Sequence, residues 1–86
     1  MPYVVLIRRQ AKKKLQSLAG ELRVRLAEKI SQLGQNPDDP VLDTKRLVGV
    51  PLWRLRVGDW RVFYDRRDAV KVIAIEKIKP RGDAYK

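Results

Sequence analysis

Residues 52–65, LWRLRVGDWRVFYD, place two runs of alternating character on either side of Gly58-Asp59. A Gly-Asp pair between two such runs predicts a two-residue hairpin loop. Pairing then follows by counting outward: Val57 faces Trp60, Arg56 faces Arg61, Leu55 faces Val62, Arg54 faces Phe63 and Trp53 faces Tyr64. Side chains alternate between faces along a strand, so a slip of one residue would invert all of them. In this register one face carries Trp53, Leu55, Val57, Trp60, Val62 and Tyr64, a continuous apolar surface that must be covered, and on it the aromatics read as packing. The opposite face carries Arg54, Arg56, Arg61 and Phe63. There Arg56 opposes Arg61 directly, which costs stability through like-charge repulsion. Such arginines serve simply to solvate the outer side of many sheets. Held side by side next to an aromatic, they also make a place where a phosphate is gripped by bidentate hydrogen bonds while a base stacks on Phe63.

The remaining segments supply a cover for the apolar face. Tyr3 to Arg8, YVVLIR, is short and rich in β-branched types and reads as a first strand. From Gln10 onward Ala11, Leu15, Leu18 and Leu22 recur at helical spacing, with Lys12, Lys13 and Lys14 turned to water and Gly20 interrupting the pattern. A second stripe, Leu22, Leu26, Ile30 and Leu33, ends at Gly34, where a left-handed cap is expected. Residues 35–44, QNPDDPVLDT, hold two prolines and three of the ten acids and read as a connection. After the hairpin, VKVIAIEKI (70–78) is apolar on both faces over Val70 to Ile75, as suits a strand inside the sheet. The expected layout is β-α-α-β-β-β, an α+β fold in which a helical hairpin covers one face of a four-stranded, antiparallel-rich sheet. At 86 residues the chain is expected to form one domain, 1–86.

Charge narrows the function. Twenty Lys and Arg stand against ten Asp and Glu, a net charge of +10 that repels itself in a compact state unless a polyanion is near. Residues 1–33 carry eight basic and two acidic side chains, residues 53–86 ten and five, so the excess belongs to the whole domain. Nucleic acid or an acidic protein is the expected partner. With no cysteine and no histidine, a disulfide framework is excluded, and metal catalysis and small-molecule cofactors are not expected. No apolar run approaches the length of a membrane span, and the cytoplasm is the expected location.

The run Leu47 to Tyr64, LVGVPLWRLRVGDWRVFY, together with the order of elements and the ending IKPRGDAYK (78–86), resembles the RelE/ParE toxin superfamily of toxin-antitoxin systems, in particular its RelE branch and the shorter archaeal-type members. The resemblance spans nearly the whole chain. It implies a toxin that cuts mRNA in the ribosomal A site, a RelB-like antitoxin as partner, and the ribosome as the platform. By the same resemblance Arg54 and Arg56 correspond to two basic positions of the second family strand, which are lysines in the best-known bacterial members. Arg61 matches the arginine that follows the aromatic opening the next strand. Arg81, with Lys79 as competitor, looks like the basic residue of the closing motif, and Tyr85 like the terminal tyrosine. Longer members have a further C-terminal helix, which this chain, ending one residue after Tyr85, is not expected to have.

Cleavage of RNA without metal uses the 2′-hydroxyl as nucleophile and needs a base, a stabiliser of the phosphorane and an acid for the leaving oxygen. Arginine suits the second task, because its pKa above about 12 makes it a very poor base. Tyr85 is therefore the expected base, Arg56 and Arg61 hold the phosphate, and Arg81 or Lys79 assists the leaving group. Arg54 and Phe63 are expected to bind RNA near this centre, and Lys12, Lys13, Lys14, Arg23, Arg25 and Lys29 to meet ribosomal RNA phosphates, although each taken singly reads more readily as part of a polar helix face. Two other readings share the fold: a ParE-like poison of DNA gyrase, and a non-catalytic RNA-binding member.

Overall fold

The structure, a computed structural model, describes residues 2–81. The elements run β1 (Val4–Ile7), α1 (Arg9–Ser17), α2 (Gly20–Gln35), β2 (Asp43–Arg46), β3 (Trp53–Val57), β4 (Trp60–Arg67) and β5 (Val72–Pro80). One sheet of order β1-β5-β4-β3-β2 results, parallel only between β1 and β5. The α+β layout with its helical hairpin stands as expected, but the sheet has five strands and not four. The added strand is β2, within and just after the segment read as a connection. Its sequence Asp-Thr-Lys-Arg has no apolar alternation because it is an edge strand with one neighbour, β3. Loop chemistry persists just before it: Asn36 Oδ1 accepts from the Asp38 N–H and Asp39 Oδ1 from the Val41 N–H, each at 3.0 Å.

The hairpin register is the one obtained by counting, from Val57 opposite Trp60 to Trp53 opposite Tyr64. Gly58 supplies the positive φ of +58° at the first loop position, the backbone a right-twisted two-residue hairpin asks for. Leu55, Val57, Val62 and Tyr64 join Ile73, Ile75 and Ile78 beneath Ala11, Leu26, Ile30 and Leu33 of the helices. Trp53 and Trp60 pack at its margin, and the Trp53 and Tyr64 rings stack with centroids 6.4 Å apart. Burial pushes the Tyr64 hydroxyl up to about 12, so it belongs to the core and is no reservoir of phenolate.

Strand β5 contains an irregularity with a consequence for the other face. Lys77 lies opposite Phe63 and Ile75 opposite Tyr64, leaving Glu76 as an extra residue. Such a bulge shifts the alternation by one. Ile73 and Ile75 point to the core before it and Ile78 after it, so Lys77 and Lys79 emerge on the face away from the helices. The bulge is pinned from the N-terminal side: Arg8 Nε donates to Glu76 Oε2 at 3.3 Å, and Gln10 Nε2 to the Glu76 carbonyl at 3.1 Å.

Gly34 departs from expectation. It is helical, with α2 continuing to Gln35, and its φ is not positive. Its need for glycine comes from packing: an added Cβ would meet Val5 Cγ2 at 2.6 Å, next to the point where the Tyr3 N–H donates to the Gly34 carbonyl at 2.7 Å. Alanine would gain about 0.5–1 kcal/mol of helix propensity. The clash falls on a stiff β-branched side chain of a paired strand, and overpacking of this kind costs about 1–3 kcal/mol. Gly34→Ala is therefore expected to lower the urea midpoint; a raised midpoint would show that β1 and α2 move apart freely.

Candidate active site

The uncovered face is organised as rows running across the sheet. One row reads Asp43 (β2), Arg56 (β3), Arg61 (β4), Lys79 (β5), each residue in register with the next. The adjacent row reads Lys45, Arg54, Phe63, Lys77. Antiparallel partners directly opposite have Cβ atoms about 4.5–5.5 Å apart. Cross-strand pairing thus forces several cations together, where free side chains would separate.

Each cation is held differently. Arg61 Nη1 lies 3.4 Å from the Gly58 carbonyl and 3.2 Å from the Trp60 carbonyl, so its guanidinium leans back over the loop. Burial first, and then the charges of Arg56, Arg54 and Arg81, push the Arg61 guanidinium below its ordinary value, with Asp43 opposing the shift. It remains charged at neutral pH. Arg56 is exposed and makes no ion pair among the described residues. Arg54 Nη2 donates to Asp43 Oδ1 at 3.0 Å. Arg81 joins the group through its backbone, whose N–H donates to the Asp59 carbonyl at 2.7 Å and ties the end of β5 to the hairpin loop.

Of the expected site residues, Arg54, Arg56, Arg61, Lys79 and Arg81 are brought together. Phe63 lies among them but is only 1% exposed. The expected base-stacking platform is therefore a buried ring, in register between Arg54 and Lys77. Tyr85 lies outside the described residues. Arg25 of α2 is drawn to the margin of the site, its guanidinium within 3.8 Å of where a Gly58 Cβ would stand. Lys14 approaches from α1, its Nζ 5.7 Å from the Trp60 ring centroid, and with Gln10, Lys77 and Lys79 it lines a cleft of about 200 Å³. Lys12 and Lys13 face outward beside Arg9, and on α2 Arg23 is exposed and Lys29 half-buried. Three residues of the face escape a reading by strand alternation alone: Asp43 and Lys45, because β2 lacks a periodic signal, and Lys77, because the bulge hides it. The spacing Ile73, Ile75, Ile78 was the available signal for the last.

Two helices on one side of a mixed sheet, with rows of cations across the other, make a small basic α+β domain. The family described as the ParE toxin of the type II toxin-antitoxin system parDE matches residues 5–85. Among solved structures, the archaeal RelE of the RelE-RelB complex from Pyrococcus horikoshii OT3 is 40% identical, with 98% of this chain and 100% of that chain covered at a TM-score of 0.82. The RelBE2 complex of Mycobacterium tuberculosis matches at 22% identity, 94% and 100% coverage and a TM-score of 0.77. The intact E. coli RelBE complex matches at 18% identity, 98% and 99% coverage and a TM-score of 0.76, a likeness of fold. No curated protein sequence matches the chain. The chain belongs to the RelE/ParE toxin superfamily of type II toxin-antitoxin systems, in its RelE branch. Among the described residues no helix is long and apolar enough to cross a membrane.

Proposed function

We propose that this toxin is a ribosome-dependent, metal-independent endoribonuclease that cuts mRNA in the A site and thereby stops translation in the cytoplasm. The observation that carries the reading is the row Arg56, Arg61, Lys79, flanked by Arg54 and Arg81, on the face the helices leave open. In the proposed reaction the 2′-oxygen bonds to the adjacent phosphorus and the bond from phosphorus to the 5′-oxygen breaks, giving a 2′,3′-cyclic phosphate and a 5′-hydroxyl. Arg56 and Arg61 hold the two non-bridging oxygens and stabilise their added charge in the phosphorane. Tyr85, as its phenolate, takes the 2′-hydroxyl proton, and the leaving 5′-oxygen, stabilised by Arg81 or Lys79, takes up a proton from one of these cations or from water to become the 5′-hydroxyl. Tyr85→Phe should slow cutting by about 10²–10⁴-fold, the usual share of a general base, in single-turnover assays; an unchanged rate would remove the phenol from the reaction.

Free RNA should be cut feebly, because the face binds phosphates without bending the backbone into line, and the ribosome supplies that positioning. The relatives from P. horikoshii, E. coli and Methanococcus jannaschii were solved with RelB antitoxins. A RelB-like antitoxin is accordingly the proposed partner here, and its acidic side chains would relieve the self-repulsion of a +10 chain. The gyrase-poison reading requires no such row of cations on the open face. Incubating the protein with programmed ribosomes and mapping mRNA ends tests the proposal: cuts confined to the A-site codon and ending in cyclic phosphate are expected, and intact mRNA would overturn it.

A further inference from the structure

Building on the nuclease reading above, we propose that Asp43 is a positioning residue: from the edge strand β2 it holds the Arg54 guanidinium and so sets the arginine row that receives the scissile phosphate. A carboxylate on this face is unexpected. It repels phosphate, and among a handful of cations it lowers the field that draws RNA in. Its geometry gives the reason for its presence. In register Asp43 stands opposite Arg56, yet its Oδ1 accepts from Arg54 Nη2, diagonally across the strands, at 3.0 Å.

Arg54 depends on that contact. Its side chain is only 23% exposed, and its Nε is buried without a hydrogen-bond partner. Among the described residues the contact with Asp43 is the one ion pair that fixes its head. Arg54 shares strand β3 with Arg56, two residues along the same face, and both charges act on Arg61. Without the carboxylate, mutual repulsion would drive the Arg54 head outward and let the other two relax after it. With it, Arg54 is pinned and partly neutralised, while Arg56 and Arg61 are left facing an incoming phosphate. The division of labour is thus a clamped arginine beside two receiving ones.

The test is Asp43→Asn, which keeps size and removes charge. It frees one cation, so the free protein should bind single-stranded RNA more tightly, with a salt slope steeper by about 0.7. The cleavage rate at saturating ribosomes should nevertheless fall about 10–100-fold, the penalty of a misplaced catalytic group. Asp43→Glu should restore part of the rate, and in an Arg54→Ala background Asp43→Asn should change the rate no further. The Arg54 Nε–H, followed by NMR hydrogen exchange, should exchange faster in the Asn variant. A merely structural tether of β2 would lower the melting temperature and leave the rate of the folded protein unchanged, and that result would overturn the proposal, as would unaltered Arg54 Nε–H exchange. Should the wild-type protein fail to cut mRNA, the nuclease reading falls, whereas the Nε–H exchange and the salt slope still decide whether Asp43 holds Arg54.

Discussion

Replacing Arg61 by alanine is expected to lower mRNA cutting by about 10²–10³-fold, the loss seen when one preorganised donor to a developing oxyanion is removed. The fold should survive. Arg61 stands on the uncovered face, its contacts are the Gly58 and Trp60 carbonyls at 3.4 and 3.2 Å, and burial, followed by its like-charged neighbours, pushes its guanidinium below its usual value. Removing it relieves repulsion opposite Arg56, so the melting temperature should hold or rise slightly. Function and stability are therefore expected to move in opposite directions, as at a site where strain is kept for chemistry. Arg61→Lys is expected to recover only part of the rate, because an ammonium cannot present the planar fork of a guanidinium. The checks are single-turnover cleavage on programmed ribosomes and a thermal melt of the same preparations. A variant that unfolds would show the side chain to be structural.

The largest stability effect is expected at the opposite end of β4. Arg66 lies on the helix side of the sheet, 10% exposed, and gathers four elements of the chain. Its Nη1 and Nη2 donate to both oxygens of Asp38 at 2.8 and 3.0 Å, and its Nε donates to Asp68 Oδ1 at 2.7 Å. Its guanidinium carbon sits 5.8 Å from the Tyr3 ring centroid and 5.5 Å from that of Trp53, and the Tyr3 hydroxyl donates to the same Asp68 oxygen at 2.7 Å. One side chain thus joins the loop after α2, the turn after β4, the start of β1 and strand β3. Arg66→Ala should destabilise the protein by about 2–3 kcal/mol, a figure resting on lost packing and ring contacts and not on the exposed carboxylates. Urea unfolding measures it, and a loss below about 0.5 kcal/mol, ordinary for a surface position, would contradict the account.

The same cluster fixes the sign of an acid effect. Hydrogen bonds from Arg66 hold Asp38 and Asp68 below the ordinary carboxylate range. Near pH 4 the folded protein therefore binds fewer protons than the unfolded chain. Their contribution is fully present above the unfolded value of about 4 and is lost as the pH falls through the lower folded values. In Arg66→Ala this acid-side decline should be shallower.

How far the sequence reached is clearest at three places. The hairpin was legible to the residue, because a Gly-Asp loop and a strict two-residue period leave one register. With it came Arg54, Arg56 and Arg61 on one face, whereas Arg81 was named through the family resemblance. Strand β2 was not legible, since its four polar residues are held by pairing with β3 and not by burial. That missing strand hid Asp43. Phe63 shows a different limit: alternation assigns a residue to a face but does not say how exposed it is there. Gly34 shows that a glycine near a helix end serves close packing as readily as a left-handed turn, a choice set by the partner strand. The Arg66 cluster joins residues as far apart as Tyr3 and Asp68, and no local pattern announces it.

The central claim is that the phosphate to be cut seats on the sheet face opposite the helices. It is tested most directly by a structure of the toxin on a ribosome programmed with mRNA whose A-site 2′-oxygens are methylated, so that attack is blocked. The account predicts the scissile phosphate within hydrogen-bonding distance of both Arg56 and Arg61, with Arg54 still paired to Asp43. An A-site mRNA lying instead along α1 and α2, with the arginine row turned away from it, would contradict it.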